Sequence, residues 1–256
     1  MSVLDRFRLD GRVALVTGGA RGLGRAMAEA LASAGASVAV TARSLDAAKE
    51  AALAITDKTG SKAIGIRAEV TSRSDVEAMV ARTVDALGGL HVLVNNAGIN
   101  KRGLIEDLPE EDFDAVIAAN LKGPWLCCRA AAPILKAQRW GRVVNVSSML
   151  AEVSLPQRTP YASSKGGLTM MTKTLALEWA PFGVTVNALC PGPFATEMNL
   201  ALINDPQVNA TFTSKVPLGR WADPSELGPA IVFLCSEASS FMTGASLFID
   251  GGYTAQ

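Results

Sequence analysis

The chain has 256 residues, of which 49% are hydrophobic and 19% charged, a size and composition that suit one α/β domain with a large buried core. Basic and acidic residues are equal at 24 each, so the net charge gives no electrostatic footprint for nucleic acid or an anionic membrane. Four cysteines without metal-ligand spacing and a single histidine leave too few ligands for a His-based zinc site, so no metal is expected. The polar start and the lack of a run of about 20 apolar residues predict a cytoplasmic protein without signal peptide or membrane span.

Apolar runs alternate with helix-periodic stretches along the whole chain. Runs typical of buried parallel strands lie at residues 12–17, 37–42, 62–68, 91–94, 141–146, 184–189 and 245–250. Helices are predicted at residues 23–34, 45–59, 72–87, 112–136, 166–179 and 224–235, with Ser72 as an N-cap, Asp75 at its capping-box position and an irregular segment at 194–220. This alternation predicts a single domain over residues 1–256, a doubly wound Rossmann fold whose parallel seven-stranded sheet has helices on both faces.

Unusual clusters follow five of the predicted strands, at the carboxyl end of each. They lie at residues 18–24, 42–43, 95–98, 147–148 and 191–196. Ligands of open parallel sheets bind at the carboxyl ends of the strands, near the point where the strand order reverses. The clusters therefore predict one shared site.

Tyr161 and Lys165 stand four residues apart at the start of a helix-periodic run, so both side chains are expected on one helix face. A lysine ammonium there would stabilise the phenolate and lower the pKa of Tyr161 toward neutrality, where a general acid/base works best. The pair alone is a weak signal, because two ordinary helix residues show the same spacing.

Three glycines, Gly18, Gly22 and Gly24, join the first strand to the first helix. Glycines let the backbone turn tightly and approach a pyrophosphate that the helix N-terminus attracts, although an ordinary strand–helix turn is the alternative. The second strand ends in Ala42 and Arg43 instead of the acid that would hold a ribose 2′-hydroxyl. Arg43 and Arg21 suit a 2′-phosphate, which predicts NADP(H) over NAD(H) unless both arginines are merely solvated.

Taken together, six motifs resemble the short-chain dehydrogenase/reductase superfamily along the whole chain. They are TGxxxGxG at residues 17–24, NNAG at 95–98, Asn120, Ser148 thirteen residues before Tyr161, YxxxK at 161–165 and PG…T at 191–196. The resemblance implies hydride transfer between a nicotinamide cofactor and a ketone/secondary alcohol pair, and a helix-paired homotetramer.

The resemblance also implies roles for individual residues. Tyr161 would exchange a proton with the substrate oxygen, Ser148 would orient that oxygen, Lys165 would bind the nicotinamide ribose, and Asn120 would hold a water that relays protons. Glu69 stands where the family usually has Asp beside the adenine, and Phe194 where an aliphatic residue is usual before Thr196 at the carboxamide. The implied cofactor contacts are Gly18, Ala20, Arg21, Gly22, Leu23, Gly24, Arg43, Glu69, Val70, Asn96, Ala97, Gly98, Tyr161, Lys165, Pro191, Gly192, Phe194 and Thr196.

The sequence leaves more than one substrate class open. Arg102 and Arg158 flank the substrate mouth in this family, and with Ser148, Tyr161 and Met198 they are the expected substrate contacts, unless the arginines are simply solvated. They favour a sugar acid or polyol, as in gluconate 5-dehydrogenases, and residues 194–220 are expected to form a lid. The alternatives are a 3-oxoacyl-[acyl-carrier-protein] reductase, docking an acidic carrier through the basic residues Arg129, Arg139 and Arg142, or a non-catalytic NADPH sensor, which would need neither Tyr161 nor Ser148.

Overall fold

A computed structural model describes residues 2–256, apart from the side chains of Met198 and Ala201. The described residues form a seven-stranded parallel sheet in the order β3-β2-β1-β4-β5-β6-β7, which confirms the predicted fold class. The strands are β1 (Val13–Val16), β2 (Ser37–Ala42), β3 (Ala63–Arg67), β4 (Val92–Asn95), β5 (Gly141–Val146), β6 (Val184–Pro191) and β7 (Ser246–Ile249). The strand order reverses between β1 and β4, which places a binding crevice above these two strands.

Helices cover both faces of the sheet. They are α1 (Gly22–Ser33), α2 (Leu45–Thr59), α3 (Arg73–Leu87), α4 (Glu110–Ile117), α5 (Gly123–Ala137), α6 (Thr159–Trp179), α7 (Leu200–Ile203), α8 (Pro206–Thr213) and α9 (Gly228–Cys235). Short 3₁₀ turns lie at Leu4–Phe7, Met149–Ala151, Ala180–Phe182, Glu197–Asn199, Pro224–Leu227, Glu237–Ser239 and Tyr253–Ala255. In the part of the chain that the structure describes, no helix is long and apolar enough to cross a membrane.

Alternate residues of each central strand enter two separate hydrophobic cores. In β1, Ala14 and Val16 face the core that holds residues of α1, α2 and α9, whereas Leu15 faces the core that holds residues of α3, α5 and α6. Strands covered on both faces need apolar residues at every position, which is why they read as continuous apolar runs. At 25 cal/mol per Å² of apolar surface, burial of this kind is the dominant force that holds the sheet.

Local capping residues fix the ends of α2 and α3. Each helix begins after a serine whose hydroxyl accepts a backbone N–H, Ser44 for α2 and Ser72 for α3, and each ends at a glycine in the left-handed region. The predicted Ser72 cap is thus confirmed. Asp75 lies at the predicted capping-box position, but its carboxylate accepts the Ser72 hydroxyl (3.2 Å) and the Glu69 N–H (3.0 Å), while the Ser72 N–H bonds to the Glu69 carbonyl.

The helix predicted at residues 112–136 differs from the structure in its start and in its continuity. It starts at Glu110 and is divided between α4 and α5 by a π-helical turn, Ala118–Lys122. Pro124 directly follows the π turn, in the first turn of α5, and has no N–H to donate to the preceding turn. The π turn carries Asn120, and such turns occur frequently at functional sites.

Candidate active site

The ends of β1 and β4 are joined by Thr17. Its hydroxyl accepts the backbone N–H groups of Asn96 (3.0 Å) and Ala97 (3.1 Å) and donates to the carbonyl of Val94 (3.3 Å). The side-chain amide of Asn96 donates back to the carbonyls of Thr17 and Gly18, at 2.9 and 3.1 Å. Asn96 therefore braces the glycine turn through its side chain.

The glycine turn approaches its surroundings so closely that side chains do not fit. A Cβ on Gly24 would lie 2.3 Å from the Gly18 carbonyl oxygen, and Gly18 itself has a left-handed backbone, with φ of +63°. Ala20 and Leu23 of the same turn pack against the core behind it. The first N–H groups of a helix have no partner within the helix, and the start of α1 follows this turn, so the turn fits the pyrophosphate of a dinucleotide.

The two arginines predicted to face a 2′-phosphate lie in different surroundings. Arg43 is exposed just beyond β2. Arg21 is also exposed, but its guanidinium lies 3.2 Å from the carboxylate of Glu197, a residue of the segment after β6. Arg21 therefore has a carboxylate partner in this structure, and that both arginines face one 2′-phosphate stays a prediction.

The residues expected near the adenine follow β3. Val70 is buried and packs under Gly123 at the start of α5. The Glu69 carboxylate accepts the backbone N–H of Thr71 at 3.2 Å, so it is held beside its own loop and keeps a second oxygen for other donors. This geometry keeps both residues at the carboxyl edge of the sheet, with the other clusters.

Ser148, Tyr161 and Lys165 come together between β5 and α6. The Ser148 hydroxyl accepts the backbone N–H of Leu150 at 3.1 Å, which leaves its own hydrogen free to donate. The Lys165 ammonium donates to the carbonyl of Val146 at 2.7 Å and lies 5.5 Å from the centre of the Tyr161 ring. Two of the three ammonium hydrogens are thus left for other partners.

The protonation behaviour of Tyr161 and Lys165 differs from the simple charge argument. Burial raises the pKa of Tyr161, opposed by the neighbouring Ser148 hydroxyl and the Arg158 charge. Burial also lowers the pKa of Lys165 to about 8. The expectation that Lys165 brings the pKa of Tyr161 toward neutrality is not met in this geometry, because burial of the phenol raises its pKa by more than the Ser148 hydroxyl and the Arg158 charge lower it.

Asn120 is fully buried, and both of its amide hydrogens have protein partners. They reach the Ile99 carbonyl (2.9 Å) and the Ser164 hydroxyl (3.1 Å), while the amide oxygen accepts the Ile99 N–H (2.8 Å). Ser164 in turn donates to the Tyr161 carbonyl at 2.7 Å. The side chain of Asn120 thus ties the loop after β4 to the helix turn that carries Tyr161, and any water on that side chain would have to use the second lone pair of the amide oxygen.

The chain after β6 closes the crevice. Gly192 follows Pro191 and bonds through its N–H to the Ile249 carbonyl, and a Cβ there would lie 2.5 Å from the Asp250 backbone. The Phe194 ring is buried in the core, and its carbonyl accepts the Thr196 N–H at 2.9 Å. The Asn199 side-chain amide donates to the same carbonyl at 3.0 Å, so this backbone oxygen is already engaged.

A family model described as enoyl-(acyl carrier protein) reductase matches residues 18–254, nearly the whole chain. The chain belongs to the short-chain dehydrogenase/reductase family. It is similar to a 2-dehydro-3-deoxy-D-gluconate 5-dehydrogenase of Formosa agariphila, with 36% identity over 100% of this chain and 97% of the relative. A 3-oxoacyl-[acyl-carrier-protein] reductase of Aquifex aeolicus is 38% identical over 96% of this chain and 98% of its own length.

Solved structures agree with the fold. The crystal structure of a gluconate 5-dehydrogenase from Burkholderia cenocepacia, in complex with NADP and tartrate, has a TM-score of 0.96 and 37% identity, and each chain is covered completely. Membership of the family makes this protein an oxidoreductase that acts on a CH–OH group with a nicotinamide cofactor. The glycine turn, the other strand-end clusters and the four residues Asn120, Ser148, Tyr161 and Lys165, called the tetrad below, lie at one edge of its sheet, where open parallel sheets bind their ligands.

Three predicted substrate contacts of this dehydrogenase lie outside the tetrad: Arg102, Arg158 and Met198. Arg158 is half-buried near Tyr161, and its pKa is lowered by burial and by the charge of Arg102. In the part of the chain that the structure describes, neither arginine forms an ion pair with a carboxylate. The third residue, Met198, has a side chain outside the described residues.

A cavity of about 390 Å³ lies under the segment predicted to be a lid. Its walls include Val208 and Phe212 of α8, Leu155 of the loop between Ser148 and Tyr161, and Tyr253 near the carboxyl end. The Phe212 ring stacks on Trp221, with 4.6 Å between ring centres. Residues 194–220 are thus more helical than predicted and rest on an aromatic cluster.

Sequence reasoning missed two residues of this site. Ser164 lies inside the YxxxK motif, but only the fold shows that its hydroxyl joins Asn120 to Tyr161. Glu197 follows the PG…T motif and gives no signal of its contact with Arg21. Cys190 lies beside Ser147 and Lys165, and burial raises the pKa of its thiol to about 11, which keeps it protonated and unreactive at neutral pH.

Proposed function

We propose that this enzyme is an NADP(H)-dependent oxidoreductase of a sugar acid, acting on a ketone/secondary alcohol pair as a gluconate 5-dehydrogenase does. The observation that carries the substrate class is Arg158, whose charge acts on Tyr161, with Arg102 close enough to act on Arg158. Neither arginine has a carboxylate partner among the described residues. Unneutralised guanidiniums near the proton donor suit a substrate with a carboxylate a few bonds from the reacting carbon. The relative crystallised with tartrate, a small hydroxy-acid anion, supports the same class.

The tetrad residues have roles that follow from their contacts. Tyr161 donates its proton to a ketone oxygen, or accepts one from an alcohol, and burial keeps it protonated for reduction. Ser148 donates its hydroxyl hydrogen to the same oxygen, because the bond it accepts from the Leu150 N–H leaves that hydrogen free. Lys165 offers two hydrogens to the ribose hydroxyls, and Asn120 is a positioning residue for the Tyr161 turn.

The nicotinamide cofactor, when bound, supplies or accepts the hydride. The glycine turn would hold its pyrophosphate through Gly18, Ala20, Gly22, Leu23 and Gly24, and Asn96, Ala97 and Gly98 would line the nicotinamide side with Pro191, Gly192 and Thr196. Arg43 would hold the 2′-phosphate, which is why NADP(H) is preferred and NAD(H) is the second cofactor. Three similar structures carry NADP in their descriptions, which supports this choice.

The carrier-protein reductase is the weaker candidate, because its docking patch is incomplete. Arg142 is 3% exposed, bonds to the Ser236 carbonyl and lies 3.3 Å from the Glu237 carboxylate, so it cannot reach an acidic carrier. Only Arg129 and Arg139 of the three arginines remain at the surface. A non-catalytic NADPH sensor would not need Ser148 and Tyr161 assembled beside the arginines.

The proposed assembly is a homotetramer in the cytoplasm, with residues 194–220 as a substrate lid. Met170 and Leu177 are exposed on one face of α6 (60% and 80%), opposite the face that packs on the sheet, and Trp125 of α5 is 46% exposed. A large apolar surface of this kind favours contact between copies of the chain. A monomer by light scattering at micromolar concentration would contradict the assembly.

The substrate class is tested by measuring kcat/KM for the reduction of three ketones, with NADPH as the cofactor. They are a keto sugar acid such as 5-keto-D-gluconate, a neutral ketose and a 3-oxoacyl thioester. The keto acid is expected to have the highest kcat/KM, by at least about tenfold over the neutral ketose, since one charge-assisted hydrogen bond contributes roughly 1.5–3 kcal/mol. Arg158→Gln should lower the ratio of kcat/KM for the keto acid over the neutral ketose to about one. Arg129→Gln, at an exposed position, should leave that ratio unchanged. Equal values for the keto acid and the neutral ketose, or a preference for the thioester, would refute the proposal.

A further inference from the structure

One ion pair joins the cofactor turn to the lid segment, although its partners are 176 residues apart in the chain. The Arg21 guanidinium nitrogen Nη1 lies 3.2 Å from the Glu197 oxygen Oε2, and both side chains are largely exposed, 75% and 65%. Arg21 is the N-cap residue of α1, and Glu197 opens the 3₁₀ turn after Thr196. The pair thus lies across the mouth of the crevice and not within one element.

The residues next to this pair also lie near each other. A Cβ on Gly22 would lie 3.9 Å from the Thr196 methyl group, so the glycine turn and the start of the lid segment are neighbours with room for one methyl group between them. A carboxylate is therefore built in beside one of the two cations that suit a 2′-phosphate.

The second cation differs in this respect. Arg43 is exposed, and no ion pair in the described part of the chain includes it. A phosphate that approaches both arginines meets one free guanidinium and one that a carboxylate already occupies. NAD(H) has a neutral ribose hydroxyl in place of the 2′-phosphate, so it does not compete with the carboxylate for Arg21.

We propose that Glu197 determines cofactor selectivity by competing with the 2′-phosphate of NADP(H) for Arg21. It lowers the affinity for NADP(H) and leaves that for NAD(H) nearly unchanged, so the enzyme discriminates less strongly than its two arginines would allow. A doubly charged phosphate binds a guanidinium more strongly than a carboxylate does, so Glu197 weakens the preference without reversing it. This inference rests on the proposed NADP(H) site and adds to it a residue from the lid segment.

The test measures dissociation constants of NADPH and NADH by fluorescence titration at low salt, for wild type and Glu197→Gln. Glu197→Gln should bind NADPH about two- to fivefold more tightly, the range for an exposed ion pair, with NADH within about 1.5-fold of wild type. In an Arg21→Gln background the same substitution should have no effect on NADPH. Glu178→Gln, which removes one exposed charge from α6, serves as the matched control and should change neither constant.

Four outcomes would overturn the inference. If Glu197→Gln weakens the binding of NADPH and NADH equally, Glu197 stabilises the closed lid instead. If it strengthens both equally, the effect is one of overall charge. If the dissociation constant of NADPH is unchanged, Glu197 does not affect selectivity. A gain that persists without Arg21 would likewise refute the competition. If the proposed NADP(H) site itself is wrong, the result is different: wild type would then bind NADPH no more tightly than NADH.

Discussion

Ser164 gives the sharpest test of how the fold positions the proton donor. Its hydroxyl is fully buried, donates to the Tyr161 carbonyl at 2.7 Å and accepts from the Asn120 amide at 3.1 Å. Ser164→Ala removes both bonds and leaves one amide hydrogen of Asn120 buried without a partner. The net value of a hydrogen bond is about 1 kcal/mol and the cost of an unpaired buried group about 1–3 kcal/mol, so the free energy of unfolding should fall by about 2–4 kcal/mol.

For a chain of this size, each kcal/mol lowers the melting temperature by about 2–4 °C, which predicts a decrease on the order of 10 °C. Thermal unfolding followed by circular dichroism measures this change. Because the Tyr161 turn loses one anchor, kcat should also fall, by about tenfold, within the ~10²-fold penalty for a 1 Å misplacement. The dissociation constant of NADPH should stay near that of wild type, since the glycine turn is untouched.

The neighbouring residue provides the control for this prediction. Ser163 has the same side chain in the same helix turn but is exposed, so Ser163→Ala should leave both the melting temperature and kcat close to wild type. If Ser164→Ala and Ser163→Ala unfold at the same temperature and turn over equally fast, the buried link between Asn120 and Tyr161 does not position the proton donor.

Three further predictions concern other parts of the enzyme. Tyr161→Phe keeps the packing and removes the acid, so turnover should fall at least ~10²-fold while NADPH still binds by fluorescence; wild-type turnover with chemistry rate-limiting would refute the mechanism. Arg43→Ala should reduce the ratio of kcat/KM for NADPH over NADH about tenfold, with a smaller change at high salt, and an unchanged ratio would place the 2′-phosphate elsewhere. His91 accepts the Val13 N–H through Nδ1, at 3.1 Å, and burial lowers its pKa, so the unfolded chain binds more protons below about pH 6.5 and stability should fall as pH decreases through that range. His91→Gln should lose less melting temperature than wild type between about pH 7.5 and 5.5; equal losses would assign the acid sensitivity to other groups.

Much of the fold could be predicted from the sequence because its signals are local. Strands buried on both faces need unbroken apolar runs. A helix such as α2 begins after a serine cap and ends at a left-handed glycine. For these reasons β2, β5 and α2 match their predicted bounds to the residue. The same reasoning located the strand-end clusters, because parallel strands carry their carboxyl ends to one edge of the sheet.

Contacts between distant side chains could not be predicted in this way. The link from Asn120 through Ser164 depends on how α6 packs against the π turn, and that turn has no periodicity to distinguish it from a continuous helix. Arg142 looks like a surface cation in the sequence, yet packing buries it beside Glu237.

The sequence by itself determined the fold class and the reaction chemistry, since both depend on residue type and short spacing, and by the same means it predicts the tetrad. Only the tertiary structure decided which charges are free and which are paired. It gave Arg21 a carboxylate partner 176 residues away and reversed the expected direction of the Tyr161 pKa shift. The physical reason is that ion pairing and desolvation depend on distance and burial, and both are fixed only when separate elements pack together.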